Sequence, residues 1–389
     1  MPVPPELDVR LAWLRDKPGV KWHSTAPGMI AAWLADMDFP APPPVRDAIA
    51  ALAGGGDLGY PAWLRDDGTP LREAFADRMA QRHGWSPDPV LVREFTDIQQ
   101  AVQAVLYVAT APGDAVALHV PGYPPLSEAV QAMGRRLVAV PMELTASGWI
   151  LDNERLRQAI VATQARVVLL VNPHNPTGRC FARPDLAALA DLAAEHDLLV
   201  IADEIHADLT LPPATFVPFA SLSPQTAART VTLTSASKAF NLAGMRCAVA
   251  HIGSARVLDG LGQLPPNLLG ELGSAGVLAT LAAWEHADGW LADVCQVLDH
   301  NRRLLDEMLA PLGVGYHIPE ATYLAWLDCR ALDLPAEPAP FFRERARVRL
   351  SSGASFGAGY EGFARLNYAT SPAVLSEVCK RIAAAVADR

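Results

Sequence analysis

Lysine is scarce in this sequence. Of the 32 lysines and arginines only four are lysines, namely Lys17, Lys21, Lys238 and Lys380. Where positive charge alone is needed the chain uses arginine, so a lysine in an unusual setting points to an amine that can lose its proton and act as a nucleophile or Schiff-base partner. Lys238 has such a setting, within "LTSASKAFNLAGMRC" after a β-rich run. From this stretch alone, a strand-end lysine that reaches solvent is an equally good interpretation.

Long apolar runs, basic clusters and cysteine pairs are also missing. No uncharged apolar stretch reaches the ~18 residues of a membrane span, and the start of the chain lacks the features of a secretory signal. A formal net charge of −10 without a basic, aromatic-interleaved run argues against binding of nucleic acid or an anionic membrane. The cysteines are odd in number and widely spaced, which predicts reduced thiols, a cytoplasmic protein and no structural zinc. They are Cys180, Cys247, Cys295, Cys329 and Cys379.

Strand-like and helix-like segments alternate from about residue 98 onward. Apolar runs such as "ARVVLLVN", "LLVIADE" and "TVTLTSAS" are joined by helical patterns such as "PDLAALADLAAEHD". Such runs without period-2 alternation predict an α/β fold whose strands are buried on both faces of a mostly parallel sheet. The earlier "FPAPPPV" and "GGGDLGYPAW" are predicted loops. After about residue 285 a long helix leads to a smaller α+β region with predicted strands in "ATYLAWLD", "ARVRLSS" and "FARLNYA".

Polar side chains follow three of the predicted strands. In an open parallel sheet, ligands bind beyond the carboxyl ends of the strands. An aspartate at the end of "LLVIAD" is partly desolvated and needs a cationic partner. A protonated pyridine nitrogen would serve; an arginine partner or a helix-capping role are the alternatives. In the order of the three strands, these residues are Asn172, Asn175 and Gly178, then Asp203, Glu204 and His206, then Ser235, Ser237 and Lys238.

A second set of residues suits a phosphate group. Ser235 and Arg246 offer a hydroxyl and a guanidinium near Lys238. The N–H groups of Ile98 and Gln99 open a predicted helix and can point at the same phosphate.

Two more residues bear on this prediction. Asp97 would repel a phosphate, so we expect its side chain to cap the helix and turn away from the phosphate. Tyr123 follows another predicted strand and can stack on a flat ring. Schiff-base lysine, pyridinium partner, phosphate-binding residues and stacking ring together predict pyridoxal 5'-phosphate (PLP) as the cofactor.

The chain resembles the fold-type I PLP enzymes of the aminotransferase class I/II superfamily, and within it the MalY/PatB-type C–S lyases, known as cystathionine β-lyases. The resemblance runs from residue 21 to residue 371. It implies a PLP-dependent transferase-like fold, with a large PLP-binding domain at 46–285. A smaller α+β domain at 286–389 would be joined by an N-terminal arm at 1–45. The matching stretches are "KWHS", "WLADMDFPAPPPV", "GYP", "QRHGW", "NPHNPTGR", "ADEIHADL", "PFASL", "SASKAFNLAG", "PEATYLAWLD", "SSGASFG" and "GFARLNYATS".

The resemblance also implies a role for each matching residue. Lys238 would form the Schiff base and then move the Cα proton of the substrate. Asp203 would pair with the pyridine nitrogen, Asn175 would bind the ring 3-oxygen and contact substrate, and Arg365 would hold the substrate α-carboxylate. A structural strand arginine is the alternative for Arg365.

The remaining roles concern the phosphate group and the ring. Tyr123 would stack on the ring, while Ser235, Arg246 and the N–H groups of Ile98 and Gln99 would hold the phosphate. Tyr60 would reach the phosphate of a partner subunit, so a homodimer is implied.

This chain departs from the superfamily pattern at two places. Many members of the superfamily have a tyrosine that donates to the ring oxygen, but this chain has His206 at that place, as the lyase subgroup does. The second departure is "TDIQQ", which replaces a common Pro-Gly-Val-Val phosphate turn. The acids and histidine of "DEIHADL" also suggest a metal site, but strand alternation would place Asp203 and His206 on opposite faces, and we expect no metal.

The implied activity is β-elimination from a cysteine S-conjugate, a small amino acid, to give thiol, pyruvate and ammonia. An aminotransferase with the same cofactor is the main alternative. A specialised biosynthetic enzyme acting on a bulky S-conjugate, by elimination or by decarboxylation coupled to oxidation, and a regulator that binds another protein remain open.

Overall fold

The computed structural model describes residues 3–65, 69–145, 148–265 and 267–389. The strands are β1 Ile30–Ala31, β2 Val92–Phe95, β3 Ala115–Val120, β4 Arg136–Pro141, β5 Glu143–Thr145, β6 Gly148–Ile150, β7 Val167–Val171, β8 Leu199–Asp203, β9 Thr230–Thr234, β10 Ala248–Ile252, β11 Gly315–Tyr316, β12 Leu324–Asp328, β13 Val348–Arg349, β14 Ser351–Ser352 and β15 Phe363–Asn367. The helices are α1 Leu11–Arg15, α2 Val20–His23, α3 Pro43–Gly55, α4 Leu71–His83, α5 Ile98–Ala109, α6 Pro124–Ala132, α7 Asn153–Thr163, α8 Arg183–Glu195, α9 Pro224–Ala227, α10 Ala236–Ala239, α11 Ala255–Gly262, α12 Ser274–His286, α13 Asp288–Leu309, α14 Pro338–Phe341 and α15 Pro372–Ala387.

A seven-stranded mixed sheet forms the centre of the molecule, in the order β2-β10-β9-β8-β7-β3-β4. Strand β10 is antiparallel to both of its neighbours, and the pairs from β9 to β4 are parallel. Every residue of β7, β8 and β9 is buried. The predicted α/β fold with strands buried on both faces of a mostly parallel sheet is therefore confirmed.

Helices cover both faces of this sheet. Alternate residues of each strand point to opposite faces, so a single strand packs against helices on both sides. On β7, Val168 and Leu170 pack in a cluster that includes Leu156 of α7 and Leu189 of α8. The intervening residues, such as Leu169, pack with α5 and α6 on the other face.

The carboxyl ends of the three central strands are in register. Asp203 of β8 lies beside Val171 of β7 and Leu233 of β9. The polar residues that follow these strands are therefore brought to one edge of the sheet, as their order in the sequence predicts.

A second sheet, four-stranded and antiparallel, has the order β11-β12-β15-β14. The N-terminal region joins this part of the chain through a parallel pairing of β1 with β13, which places Ile30 beside Val348. This pairing agrees with an N-terminal arm that belongs to the small domain. The boundaries at 1–45, 46–285 and 286–389 stay a prediction.

Three details of the predicted secondary structure are wrong. The segment "GGGDLGYPAW" is not loop throughout, because its first two glycines belong to α3, which ends at Gly55. The segment "FPAPPPV" is not loop throughout, because α3 begins at Pro43, and proline is well tolerated in the first turn of a helix. The segment "ARVRLSS" is not one strand. It is divided into β13, which pairs with β1, and β14, which pairs with β15.

No helix in the described parts of the chain is both long enough and apolar enough to cross a membrane. All five cysteines are free thiols, and four of them are buried.

Candidate active site

One cavity opens at the carboxyl ends of the central strands. It brings together nine of the residues predicted from the sequence, and Asp97 and Ala35 also line it. The nine residues are Ile98, Gln99, Tyr123, Asn175, Asp203, His206, Ser235, Lys238 and Arg246. Arg365 joins them through a hydrogen bond to Asn175. Tyr60 does not line the cavity, and the residue is 94% exposed.

The Lys238 amine points into the molecule rather than to solvent. It follows β9 within the short helix α10, and its Nζ donates to the Ala35 carbonyl at 2.7 Å. Burial lowers the pKa of this amine to about 8, with a smaller lowering from Arg365 and opposing contributions from Asp36 and Asp203. A large fraction of the amine is therefore neutral near pH 8, which is the state that a nucleophile or base requires.

Asp203 is a buried carboxylate at the end of β8. Its Oδ1 accepts the Ile205 N–H at 3.2 Å, and within the described residues no arginine or lysine forms an ion pair with it. Burial raises its pKa to about 6, against smaller lowering effects of that N–H and of Lys238. The sequence-based alternatives, an ion pair with arginine or a helix cap, are absent from this part of the structure. The site thus offers a desolvated negative charge to a cationic ligand group.

Arg365 carries a buried positive charge on β15. Its Nη1 donates to Asn175 Oδ1 at 3.1 Å, and its Nη2 donates to the Trp33 carbonyl at 2.9 Å and Ser351 Oγ at 3.2 Å. These partners are neutral, and the described residues supply no carboxylate to this guanidinium. Burial lowers its pKa to about 10. A buried guanidinium without a counter-ion is a strong candidate for binding a substrate carboxylate.

The turn that carries Asn175 depends on Gly178. This glycine has φ +72°, and a Cβ at its position would lie 2.4 Å from Cβ of Pro319. Its carbonyl accepts the N–H groups of Glu320 and Ala321, so the turn after β7 is attached to the segment that precedes β12.

The other end of the cavity has the features of an anion site. The first N–H groups of α5, at Ile98 and Gln99, have no acceptor within the helix because the helix begins there. The Nε2 of Gln99 is buried and has no hydrogen-bond partner among the described residues. Ser235 also lies here, although its hydroxyl donates to the Cys247 carbonyl at 2.6 Å.

Asp97 caps α5 as expected, with Oδ1 accepting the Gln100 N–H at 2.8 Å. The expectation that its side chain turns away is wrong. Oδ2 pairs with the Arg246 guanidinium, and both residues line the cavity. The cap satisfies only one carboxylate oxygen, so the other is left to meet the arginine.

Two rings complete the cavity. Burial raises the pKa of the Tyr123 hydroxyl and lowers that of His206 to about 3, so the histidine is neutral. The nearby charges of Lys238 and Arg365 lower the His206 pKa further. The Nδ1 of His206 is buried and has no hydrogen-bond partner in the described part of the chain, and the His206 ring packs edge-on against Tyr323.

Sequence reasoning assigned no role to Ala35, Trp33, Ser351 and Tyr323. The Ala35 carbonyl accepts from Lys238 and from the Tyr323 hydroxyl, while Trp33 and Ser351 hold Arg365. These residues lie within stretches by which the sequence resembles the PLP enzymes. The only signal available to find them was this resemblance.

Among the described residues, no group of three or more histidine, cysteine or acidic side chains could hold a metal ion. The arrangement does fit PLP. An unpaired buried Asp203 suits a pyridinium, Lys238 suits an aldehyde, and the open N–H groups of α5 with Arg246 suit a phosphate.

Comparison with known proteins decides the family. The sequence model described as "Aminotransferase class I and II" matches residues 35–382. The chain belongs to this family. A putative cystathionine β-lyase of Mycobacterium tuberculosis (strain ATCC 25618 / H37Rv) is 35% identical over 95% of this chain and 95% of its own length.

Solved structures of PLP-dependent enzymes that act on carbon–sulfur bonds are also similar to this chain. A putative PLP-dependent β-cystathionase from Corynebacterium diphtheriae has a TM-score of 0.91 at 30% identity, over 98% of this chain and 99% of the other. The PLP-bound C–S lyase from Staphylococcus hominis has a TM-score of 0.90 at 28% identity, over 96% of this chain and 97% of the other. The predicted family and the fold-type I architecture are confirmed.

Proposed function

We propose that this chain is a PLP-dependent C–S β-lyase that cleaves cysteine S-conjugates to thiol, pyruvate and ammonia. The observation that carries the proposal is a cavity with three complementary groups. It contains the Lys238 amine, held by the Ala35 carbonyl, and the Asp203 carboxylate, and the buried Arg365 guanidinium contacts its Asn175. Neither Asp203 nor Arg365 has an ion-pair partner among the described residues. The similar proteins named cystathionine β-lyase and C–S lyase support the reaction type.

The residues around the cavity would hold the cofactor at both ends. The α5 N-terminus and Arg246 would bind its phosphate group, and Asp203 would keep its pyridine nitrogen protonated. Asn175 accepts from Arg365 through Oδ1, which leaves its amide N–H groups to donate to the ring oxygen. When bound, PLP supplies an electron sink for the pair of electrons released at Cα.

The protein groups then act on the substrate. Arg365 would hold the α-carboxylate, which orients the Cα–H bond, and Lys238 as the base would remove that proton. The Cα–H electron pair forms the Cα–Cβ double bond as the Cβ–S bond breaks, and the sulfur leaves as a thiolate that takes up a proton. Hydrolysis of the released enamine consumes one water and yields pyruvate and ammonia. No external oxidant or keto acid is needed.

Elimination rather than amino transfer is tested directly by the products. We expect purified holoenzyme to release equal amounts of free thiol and pyruvate from cystathionine or a larger S-conjugate, with no keto acid added. Lys238→Ala is the matched inactive control. If no S-conjugate yields thiol, while aspartate or an aromatic amino acid transfers its amine to 2-oxoglutarate, the chain is an aminotransferase. Carbon dioxide release would instead favour decarboxylation.

We further propose a homodimer in which Tyr60 completes the partner's phosphate site. Its full exposure and its absence from the cavity of its own chain support this arrangement, as do the exposed Leu58 and Leu268. Mixing Lys238→Ala and Tyr60→Ala chains tests it. If Tyr60 acts across the interface, one site of each mixed dimer is wild type and activity returns; if Tyr60 acts within its own chain, none does. The five free cysteines support a cytoplasmic location.

A further inference from the structure

The pair formed by Asp97 and Arg246 occupies the anion end of the cavity. One carboxylate oxygen of Asp97 accepts the Gln100 N–H, and the other contacts the Arg246 guanidinium. Arg246 has no other side-chain partner among the described residues, and its side chain is 62% exposed, against 25% for Asp97. Asp97 thus meets both positive elements of this end, the α5 N-terminus and the arginine.

A phosphate dianion would need the same two elements. Helix N-terminal N–H groups and an arginine fork are the donors that bind phosphate. Asp97 leaves the N–H groups of Ile98 and Gln99 open, but it stands next to them at the start of α5 and its carboxylate pairs with the arginine. It therefore repels the incoming charge and must give up part of its pairing with Arg246 when phosphate binds. The cavity therefore carries a negative group where a ligand anion has to bind.

We propose that Asp97 is a built-in competitor of the cofactor phosphate, which weakens the binding of PLP and makes its retention dependent on salt. This inference rests on the proposed PLP function. The opposite role is that Asp97 positions Arg246 for phosphate and strengthens binding. The two roles predict opposite signs when the charge of Asp97 is removed.

Asp97→Asn separates the charge from the cap. Asparagine caps helices as well as aspartate does, and its Oδ1 can still accept the Gln100 N–H. Asp152→Asn is the matched control, because Asp152 caps α7 through the Arg155 N–H at 2.8 Å and does not line the cavity. The full chain, freed of cofactor, is titrated with PLP, with pyridoxal and with inorganic phosphate. Imine absorbance reports the first two, and calorimetry reports the third.

We expect Asp97→Asn to bind PLP and inorganic phosphate roughly threefold to tenfold more tightly, since the pair is partly exposed and its charge is screened by solvent. Pyridoxal, which has no phosphate, should bind both proteins equally, and added salt should narrow the difference for PLP. Asp152→Asn should behave as wild type. Unchanged or weaker binding of PLP would overturn the inference, as would an equal gain for pyridoxal.

The proposed function and this inference fail in different ways. If PLP gives no imine with the wild-type chain, the cofactor assignment is wrong, while the phosphate titration still tests Asp97. If the imine forms equally well in both proteins at every PLP concentration, the competitor role alone is wrong. Asp97→Ser, which keeps a capping oxygen, replaces Asp97→Asn if that variant does not fold.

Discussion

The Lys238 amine donates to the main-chain carbonyl of Ala35 at 2.7 Å, and the Tyr323 hydroxyl donates to the same carbonyl at 3.1 Å. Ala35 lies 203 residues before Lys238 in the chain. This contact brings the N-terminal segment to the cavity and gives the amine a neutral acceptor instead of a carboxylate. A carbonyl fixes the position of the amine without the strong rise in pKa that an ion pair would cause.

Lys238 should therefore be the lysine that forms an imine with PLP. The imine should form faster as the pH rises through about 8, because the Lys238 amine loses its proton there. Stopped-flow absorbance of the cofactor-free chain mixed with PLP measures this rate. Lys238→Arg keeps the charge and should give no imine. Borohydride reduction followed by peptide mapping should find the adduct at Lys238; an adduct at Lys21, which pairs with Asp38 at 2.8 Å, would contradict the assignment.

Asp203→Asn should bind PLP yet lose most turnover. The substitution keeps the shape of the side chain but removes the charge that stabilises the protonated pyridine nitrogen, which should cost several kcal/mol in proton removal from Cα. Steady-state kinetics together with a cofactor titration measure both quantities. Asp203→Glu, which keeps the charge on a longer side chain, serves as the comparison. A cofactor-loaded Asn variant with wild-type kcat would refute this role.

The central sheet was predictable because its signal is local. The residues of β7 and β8 are apolar without alternation, since both faces of each strand are covered, and a reader of the sequence sees this within five letters. Asp203 could be singled out for the same reason, as the charged residue that ends such a run. Lys238 lies beyond the end of β9, within α10, and the local pattern alone fitted a solvent-exposed lysine equally well.

The N-terminal contribution to the site could not be predicted in this way. Trp33 and Ala35 act through backbone carbonyls, which every residue possesses, so the residue type carries no signal. Their positions depend on long-range contacts, namely the amide of Asn241 with Phe39 and the amide of Asn367 with Asp36. Only the resemblance of whole stretches pointed to this region.

The wrong expectation that the Asp97 side chain turns away from the phosphate site has the same origin. Capping is a local rule, and the cap is present. The second carboxylate oxygen meets Arg246, which lies 149 residues away, and a local rule contains no information about that contact.

Arg365→Lys should weaken kcat/KM by roughly 1–3 kcal/mol, because lysine cannot reproduce a planar fork held by Asn175, Trp33 and Ser351. Cofactor binding should change little, since Arg365 makes none of the predicted phosphate contacts. Kinetics with one S-conjugate and with its carboxamide analogue test the reason for the loss. The wild-type enzyme should strongly prefer the carboxylate, and the variant should prefer it less. An equal loss for both substrates would favour a purely structural arginine.

Glu204→Gln should stabilise the protein at pH 7 to 8. Glu204 is buried next to Asp203, its Oε1 accepts the Phe219 N–H at 2.8 Å, and its Oε2 has no partner among the described residues. Burial, aided by the charge of Asp203, raises its pKa to about 8. A glutamate in the unfolded chain loses its proton near pH ~4.3. Between these values the unfolded state binds fewer protons than the folded state, so the free energy of unfolding falls as the pH rises.

Glutamine cannot ionise and keeps the acceptor for the Phe219 N–H. The free energy of unfolding of the Glu204→Gln variant should therefore not fall with pH for this reason. We expect the two proteins to be similar near pH 4.5 and the Gln variant to gain up to a few kcal/mol by pH 8, at ~1.4 kcal/mol for each pKa unit. Urea unfolding of the cofactor-free chain between these two pH values measures the difference. Glu195→Gln is the control, because the exposed Glu195 pairs with Arg157, which lowers its pKa, and its loss should not stabilise the protein. A gain for Glu204→Gln that does not change with pH would show that ionisation of Glu204 is not its cause.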